Sequence, residues 1–336
     1  MKTSTSATFP IFVDAAAVAR NLPWPDLLQA LQQAFAATDL ITPTRAHHHM
    51  EGMSSPGTPV LLCMPAWSPQ LGVGVKLVTV YPDNASRNLP SIHGLYVLMD
   101  GATGRAQAVL DAGELTARRT AAASALASQF LSRPDSATLL MVGTGRLSQY
   151  LPVAHAQVRP IKRVLVWGRS QAKAQASADA LQSQGVNARA VAGLQDACAE
   201  ADIISCATLS KTSLLQGEWL RPGTHVDLVG AFTPQMREAD DEVFKRATSV
   251  WCDTTAGALV EAGDLIQALA SGALDQERIK GDLVSLCQAG EAAPRHDADI
   301  TVFKSVGAAL EDLAAARLCL ALSRIARPFR GLKLPV

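Results

Sequence analysis

From Ala137 onward, the sequence alternates short β-branched runs with helix-forming stretches. The runs ATLLMVG, RVLVWG, DIISCAT, THVDLVG and SVWCDT are typical of buried strands, and segments such as SQAKAQASADALQSQG between them are typical of helices. Strands that alternate with helices form right-handed βαβ units, whose parallel strands share one sheet that is covered on both faces. This part of the chain is therefore predicted to form a doubly wound parallel sheet of the α/β class.

The preceding residues have a different pattern. Asp14 is expected to cap one helix and Trp24 to introduce a second. Short β-rich runs follow over 58–110 and end in a predicted hairpin, LYVLMD-GATG-RAQAVLD. An Ala-rich helix, LTARRTAAASALASQFL, comes next, and KSVGAALEDLAAARLCLALSRIA near the C-terminus is predicted to be one long helix. We expect an α+β domain built from 1–125 and 312–336, and an α/β domain over 126–311.

Composition excludes several classes of protein. The 336 residues carry 30 Lys and Arg against 30 Asp and Glu, which argues against binding to nucleic acid or to an acidic membrane surface through overall basicity. No apolar stretch approaches the length that spans a bilayer, and the N-terminus is a poor signal peptide. Six scattered cysteines with no C-x-x-C pair favour buried, reduced thiols. A cytoplasmic location is therefore expected.

A glycine-containing loop directly follows the first strand of the α/β region. It reads Gly143-Thr144-Gly145-Arg146-Leu147-Ser148, with a strand before it and a helix and second strand after it. The two glycines allow a tight turn and a close approach of backbone to pyrophosphate, and Ser148 is small enough for helix–strand packing. Backbone N–H groups then meet the phosphates at the helix N-terminus. We predict a dinucleotide site there, the alternative being an ordinary strand–helix turn.

The end of the next strand discriminates between the two nicotinamide cofactors. It reads Gly168-Arg169-Ser170, where NAD enzymes usually place an acidic residue for the ribose. No carboxylate lies between Asp135 and Asp179, whereas six Lys and Arg do. Because Arg169 and Ser170 suit a 2′-phosphate, we predict NADPH, with NADH as the alternative. A solvated turn residue is the alternative for Arg169.

Three cationic residues ahead of this loop also need partners. Lys76 lies in the apolar run VGVKLVTV, a position that favours the solvent face over a ligand. Arg118 and Arg119 are predicted to open the Ala-rich helix, where the positive end of the helix dipole invites an anion.

The triplet His47-His48-His49 is not expected to bind metal, because neighbouring strand residues point to opposite faces.

Together these segments resemble the ornithine cyclodeaminase/mu-crystallin family from about Arg45 to the C-terminal helix. The matching stretches are 74–91, 100–127, 143–148, 166–170, 217–242, 260–265 and 301–318. The resemblance implies a Rossmann domain in the middle of the chain and a first domain that binds substrate and forms a homodimer. It further implies that Arg45, Lys76 and Arg119 surround the carboxylate of an amino or imino acid. Thr120 is then expected near the cofactor phosphates, and Thr208 and Gly230 complete the expected cofactor residues.

One departure from the family narrows the expected activity. Cyclodeaminases carry an Asp shortly after the V-G-G/A turn, and the corresponding residue in VGAFTP is Phe232, which cannot transfer a proton. The ketimine reductases of the family lack that Asp. We therefore expect NADPH-dependent reduction of Δ1-piperideine-2-carboxylate or Δ1-pyrroline-2-carboxylate to L-pipecolate or L-proline, with Lys76 managing the proton. The alternatives are an amino-acid dehydrogenase, a cyclodeaminase-like enzyme, and a mu-crystallin-like protein that binds NADPH and a small ligand.

Overall fold

The computed structural model describes residues 10–53, 55, 58–87, 89–291 and 295–325. The chain divides into two compact units. The first comprises Met1–Ala30, Thr38–Arg119 and Ala309–Val336, and the second comprises Leu31–Ala37 and Thr120–Ala308. The predicted first domain also contains 1–9 and 326–336, which lie outside the described residues. The domain boundaries drawn from the sequence stay a prediction.

The first unit contains a six-stranded mixed sheet. Its spatial order is β1-β6-β5-β4-β3-β2, and every neighbouring pair is antiparallel except β1 with β6. The predicted hairpin is confirmed, because β5 and β6 pair on either side of the Gly-containing turn. The strands are Ile11–Val13 (β1), Ala46–His49 (β2), Val60–Ser68 (β3), Gly72–Val80 (β4), Ile92–Met99 (β5) and Ala106–Asp111 (β6).

The helices of the described residues are mostly short, apart from three that exceed twelve residues. Asp14 caps the first helix, as predicted, by accepting a hydrogen bond from the backbone N–H of Ala17 at 2.8 Å. The helices are Ala15–Arg20 (α1), Trp24–Ala36 (α2), Ala112–Leu131 (α3), Leu151–His155 (α4), Gln171–Gln182 (α5), Leu194–Glu200 (α6), Asp241–Arg246 (α7), Thr255–Glu261 (α8), Gly263–Ala270 (α9), Leu283–Ala289 (α10) and Ala309–Ile325 (α11). No described helix is both long and apolar enough to cross a membrane.

The two faces of the first sheet differ in what covers them. Helix α11 packs against β3, β4 and β5, and the residues facing it, including Lys76 and Tyr96, are buried. Directly paired residues share a face. The opposite face is apolar but open, with Leu77 and its cross-strand partner Leu95 both exposed. Alternation along the strands therefore leaves one apolar surface without a covering layer in this unit.

The second unit contains an eight-stranded sheet in which every strand pair is parallel. Its order is β13-β12-β14-β11-β10-β7-β8-β9. The residues of β7, β10, β11 and β14 are all buried, as expected for strands covered on both faces. The strands are Thr138–Val142 (β7), Arg163–Trp167 (β8), Ala188–Ala190 (β9), Ile203–Cys206 (β10), His225–Leu228 (β11), Ser249–Cys252 (β12), Ile279–Asp282 (β13) and Thr301–Lys304 (β14). The predicted α/β class with a Rossmann-type sheet is confirmed.

The order of these strands places a topological switch point between β7 and β10. From β7 the chain proceeds outward through β8 and β9, then returns to add β10 on the other side of β7. In open α/β sheets, ligands bind outside the carboxyl ends of the strands at such a point. The two loops that leave the sheet there begin at Gly143 and at Ala207.

Two helix starts differ from those predicted from the sequence. The Ala-rich helix α3 begins at Ala112 rather than Leu115. The C-terminal helix α11 begins at Ala309 rather than Lys304, because Lys304 ends strand β14 and residues 305–308 connect the two elements. All six cysteines are free and, apart from the half-buried Cys63, buried. The prediction of unbonded thiols is thus confirmed, and only the burial of Cys63 is less complete than expected.

Candidate functional site

A buried group of four charged side chains lies between the sheet and helix α11 of the first unit. Lys76 is only 3% exposed, and its Nζ lies 2.7 Å from Oδ2 of Asp312. The prediction that Lys76 faces solvent is wrong, because its face of β4 is the one that α11 covers. A buried ammonium needs an opposite charge, and Asp312 in the first turn of α11 supplies it.

Arg119 joins the same group through two carboxylates. Its Nε donates to Oδ1 of Asp312 at 2.9 Å, and its Nη1 donates to Oε2 of Glu311 at 2.7 Å. Glu311 and Asp312 both lie in the first turn of α11, where the helix dipole favours negative charge. Two adjacent residues of one helix therefore fix the guanidinium of another.

The prediction that Arg118 and Arg119 open α3, beside the positive end of its dipole, is wrong. Because α3 begins at Ala112, both arginines lie in its second turn, beyond the reach of the dipole at the N-terminus. Arg118 pairs with Glu114 at 2.9 Å and lies 5.1 Å from the centre of the Trp24 ring. The ion pair lies within α3 and orients the guanidinium, and the cation–π contact holds α3 against α2.

The surroundings lower the pKa of Lys76 to about 8. Burial is the largest cause, the positive charge of Arg119 is the second, and Arg45 adds to it, while Asp312 opposes all three. The neighbouring arginines therefore contribute as expected, but burial contributes more. Burial alone would raise the pKa of Asp312, but Arg119 and Lys76 outweigh it and hold that pKa below its usual value. Lys76 can consequently gain or lose a proton near neutral pH.

Arg45 and Tyr96 complete the surroundings of Lys76. Arg45 is half-buried immediately before β2, and its charge acts on Lys76. Tyr96 is the direct cross-strand partner of Lys76 and is fully buried, with no hydrogen-bond partner for its hydroxyl among the described residues. A Cβ at Gly74 would lie 1.8 Å from that hydroxyl, so the glycine makes room for the ring. Tyr96, Glu311 and Asp312 were not predicted as site residues.

In the second unit, the predicted glycine loop leaves the carboxyl end of β7. Gly143 has φ of +121°, and a Cβ there would lie 2.6 Å from the carbonyl oxygen of Ala207. Both observations require glycine. Gly145 differs, since a Cβ there would meet nothing within 4 Å. The backbone at Gly145, followed by the exposed Arg146 and the half-buried Leu147, thus borders open space.

Ser148 fills the third position of the fingerprint through hydrogen bonds as well as through its size. Its hydroxyl donates to the carbonyl of Gly145 at 2.7 Å and lies 2.8 Å from the hydroxyl of Ser177 on α5. The small side chain therefore closes the loop and lets α5 approach it. Thr144 lies beside Gly168, where a Cβ would approach its Cγ2 to 2.5 Å. The first and second βα turns are thereby packed together.

The end of β8 presents the residues predicted for a 2′-phosphate. Arg169 is exposed, and Ser170 caps α5 by accepting from the N–H of Lys173 at 3.4 Å. Some of the six nearby cations have other partners: Arg163 pairs with Glu200 at 3.0 Å, and Arg159 donates to carbonyls at the C-terminal end of α3. The local charge count from sequence therefore overestimated the positive field.

The remaining predicted cofactor residues are Thr208 and Gly230, which follow the carboxyl ends of β10 and β11, and Thr120. Thr208 Cγ2 would lie 3.3 Å from a Cβ at Gly143, so Thr208 borders the glycine loop. One buried carboxylate, Glu238, contacts both Thr208 and Gly230. Thr120 is buried on α3. Glu238 and the nearby buried ion pair of Lys304 with Asp264 at 3.2 Å were not predicted.

The histidine triplet lies on the exposed edge strand β2. Across the described ranges, no three His, Cys, Asp or Glu side chains come together in a group that could hold a metal ion.

The family model described as the ornithine cyclodeaminase/mu-crystallin family matches residues 10–321. The chain belongs to this family. It is 37% identical over 323 residues to a Δ1-pyrroline-2-carboxylate reductase of Paracoccus denitrificans, covering 96% of this chain and 98% of that protein. It is also 37% identical over 256 residues to the ketimine reductase mu-crystallin of Rattus norvegicus, covering 76% of this chain and 78% of that protein.

A solved structure extends this family likeness to three dimensions. The Δ1-pyrroline-2-carboxylate reductase of Thermococcus litoralis, in complex with NADH and L-proline, matches with a TM-score of 0.87 and 27% identity. The match covers 94% of this chain and 98% of that one. The predicted family membership is confirmed. The predicted substrate-binding and cofactor-binding residues thus lie at defined positions in a member of this family.

Proposed function

We propose that this protein reduces cyclic ketimines, Δ1-pyrroline-2-carboxylate and Δ1-piperideine-2-carboxylate, to L-proline and L-pipecolate with NADPH. It is an NAD(P)H-dependent imine reductase, a class to which the similar reductases named above also belong. The observation that carries the proposal is the buried group of Lys76, Arg119 and Asp312, which combines a titratable ammonium with fixed positive charge. Such a group suits a small anionic substrate that must receive a proton.

The positive charges of Arg45 and Arg119 are proposed to bind the substrate carboxylate. A guanidinium held by Glu311 and Asp312 is already oriented, so little entropy is lost when a second anion binds. Orientation of the carboxylate fixes C2 of the ring relative to the protein. The bound nicotinamide cofactor supplies the hydride that C2 accepts.

Lys76 is proposed to supply the proton of the reaction. A proton on the imine nitrogen makes C2 a better hydride acceptor, and the product amine retains that proton as the C=N bond becomes a single bond. With a pKa lowered to about 8, the ammonium of Lys76 gives up its proton more readily than an exposed lysine. Asp312 lies against Nζ and keeps the protonated form accessible at neutral pH.

NADPH is proposed as the preferred cofactor, held at the glycine loop by Gly143, Thr144, Gly145, Arg146 and Leu147. Arg169 and Ser170 at the end of β8 are proposed to bind the 2′-phosphate, with Gly168 allowing the turn. The support is the exposed Arg169 guanidinium and the absence of any acidic residue from Gly168 to Gln171 in the sequence. Thr120, Thr208 and Gly230 are proposed to complete this site.

Cyclodeamination is disfavoured by Phe232. This residue follows the turn after β11, is exposed, and has no group that transfers a proton. A reductase needs no such group at this position. We therefore place this protein with the reductases of the family.

The proposed function is tested by following NADPH oxidation with the five- and six-membered ring imines side by side, repeated with NADH. Rapid oxidation of NADPH with one or both imines is the expected result. Activity that requires added ammonia and a 2-oxo acid would instead indicate an amino-acid dehydrogenase. Binding of NADPH without reduction of any of these substrates would indicate a non-catalytic binding protein. A strong preference for NADH would overturn the proposed role of Arg169 and Ser170.

We also propose a homodimer that forms through the open apolar face of the first sheet. Leu77, Leu95 and Phe12 are exposed there, and a second copy of the same face would bury them. Light scattering should show that the double variant Leu77→Glu/Leu95→Glu is monomeric. The Val260→Glu variant, changed at an exposed apolar residue of the second unit, should keep the wild-type mass. Equal masses for all three proteins would exclude this interface.

A cytoplasmic location stays a prediction.

A further inference from the structure

The carboxylate of Glu238 receives four hydrogen bonds from two different loops. Its Oε1 accepts from the backbone N–H of Thr208 at 2.6 Å and from the Thr208 hydroxyl at 2.8 Å. Its Oε2 accepts from the backbone N–H of Gly230 at 2.6 Å and of Ala231 at 3.3 Å. The two loops follow β10 and β11, and the first of them borders the glycine loop. One side chain thus links the loops at the proposed cofactor site.

The ionised form is the one that this arrangement requires. A carboxylate is acceptor-only, so it can satisfy all four donors. A protonated carboxyl can direct its O–H only toward the Thr208 hydroxyl, the one partner that also accepts, and it is then a poorer acceptor for the three backbone N–H groups. Glu238 is fully buried, and no water-exposed surface is available to relieve that conflict. Protonation should therefore weaken the hold of Glu238 on the two loops.

Titratable groups on three other elements face Glu238. Lys304 on β14 favours the ionised form, whereas Asp264 on α9 opposes it, and Cys206 on β10 lies close enough for its own pKa to be raised by Glu238. Asp264 also accepts from the backbone N–H groups of Glu238 and Ala239. Burial raises the pKa of Glu238 to about 7, with Asp264 adding to the rise and Lys304 reducing it.

We propose that Glu238 is a positioning residue whose ionised carboxylate holds the loops of Thr208 and Gly230 in the cofactor-binding conformation, so that cofactor affinity depends on its protonation. Lys304 supplies the compensating charge, and Asp264 sets how easily the proton is gained. The inference rests on the proposed function only in taking these loops as part of the cofactor site. Below the pKa of Glu238, the population competent to bind falls and the apparent dissociation constant rises.

The first test measures the Kd of NADPH and of NADH for the wild-type protein by fluorescence, from about pH 5.5 to 8.5. If only the ionised form binds, Kd should rise by up to about tenfold per pH unit below the midpoint. The 2′-phosphate of NADPH also titrates near pH 6, so the step assigned to the protein is the one that NADH shares. A Kd that is flat over this range for NADH would overturn the proposal.

Two variants within this cluster, with a control outside it, separate positioning from a general structural role. Glu238→Gln places an amide N–H against the backbone N–H groups of one loop. The Kd of NADPH and of NADH should therefore rise by about tenfold or more, and the pH step should disappear. Asp264→Asn keeps an acceptor for the two backbone amides but removes the charge that opposes ionisation, so the midpoint should move to lower pH. A purely structural role of this cluster would not move the midpoint in a set direction.

Asp202→Asn is the matched control within the same unit. Asp202 is also a buried carboxylate that accepts from two backbone amides, those of Ala137 and Thr138 at 2.9 Å, but it lies at the amino end of β7. This variant should melt at a lower temperature yet keep the wild-type Kd and midpoint. If Asp202→Asn and Glu238→Gln shift Kd equally, Glu238 has no special role. If neither NADPH nor NADH binds to the wild type at any pH, the proposed function fails instead.

Discussion

The two units each bury a charged group, but the groups are built in opposite ways. In the first unit, two cations, Lys76 and Arg119, are matched by two carboxylates of α11. In the second, one cation, Lys304, faces two carboxylates, Glu238 and Asp264. The pKa of the lysine is lowered in the first group and the pKa of a glutamate is raised in the second. Each group therefore contains one member that can exchange a proton near neutral pH.

The difference between the groups indicates which member performs the proposed function. In the first unit the cations are proposed to meet the substrate, and the carboxylates orient them. In the second unit the carboxylate holds backbone N–H groups, and the lysine offsets its charge. Since a buried charge is costly unless it is paired, both arrangements need their compensating partners even though those partners meet no ligand.

The largest expected effect comes from removing the titrating member of the first group. Lys76→Ala should lower turnover roughly a hundred- to ten-thousandfold, the usual contribution of a positioned proton donor. The Kd of NADPH should stay near the wild-type value. Steady-state kinetics and fluorescence titration of the same preparation measure both quantities.

Lys76→Arg provides the control for that prediction. Arginine keeps the positive charge for a carboxylate but does not release its proton in proteins. Substrate KM should therefore be affected less than kcat. Equal losses of turnover and NADPH affinity in Lys76→Ala would contradict the assignment of Lys76 to the proton step.

An intermediate effect is expected from Asp312→Asn, which removes the orienting carboxylate. Turnover should fall roughly ten- to a hundredfold, as expected when reacting groups are misplaced. In the wild type, kcat should fall as pH rises through about 8, because Lys76 then loses the proton that it donates. Asp312 raises the pKa of Lys76, so this fall should occur at lower pH in the variant.

A pH profile of kcat for wild type and Asp312→Asn checks the direction of that shift. A thermal melt on the same samples accounts for any loss of folded protein, since breaking a buried ion pair is destabilising. A variant profile that moves to higher pH would exclude Asp312 as the group that keeps Lys76 protonated.

The smallest effect is expected at an exposed cation, outside both buried groups. Arg169→Ala should raise the KM of NADPH by about tenfold through loss of a charged hydrogen bond, while the KM of NADH stays unchanged. Lys173 is another exposed cation, on the first turn of α5, and Lys173→Ala serves as the control. This control should change the NADPH preference much less. If Arg169→Ala raised the KM of NADPH and of NADH to the same extent, Arg169 would not bind a 2′-phosphate.

Local patterns predicted much of the fold. The hairpin of β5 and β6, the cap at Asp14 and the strand before Gly143 all depend on residues within a few positions of one another. The start of α11 was predicted at Lys304, whereas Lys304 ends strand β14 and the helix begins only at Ala309. Lys304 belongs to the strand because it pairs with β11 and β12, which are distant in the sequence.

The residues of the candidate site were predicted only in part, and those that were missed share one cause. Lys76 and Arg119 were singled out, but their partners Glu311 and Asp312 were not, since Arg119 and Asp312 are 193 positions apart. A usable signal was present, because two adjacent acidic residues lie in the first turn of a largely apolar helix. Lys304 in the apolar run TVFK carried the same signal as Lys76 in VGVKLVTV.

The sequence by itself determined the parallel α/β sheet, the glycine loop and the family, because strand periodicity, turn chemistry and motif spacing are short-range properties of the chain. Only the tertiary structure decided that Lys76 is buried, that Arg119 binds two carboxylates, and that Glu238 links two loops. The physical reason is that the free energy of a buried charge depends on which opposite charges and donors surround it. Those neighbours come from distant segments that folding alone brings together.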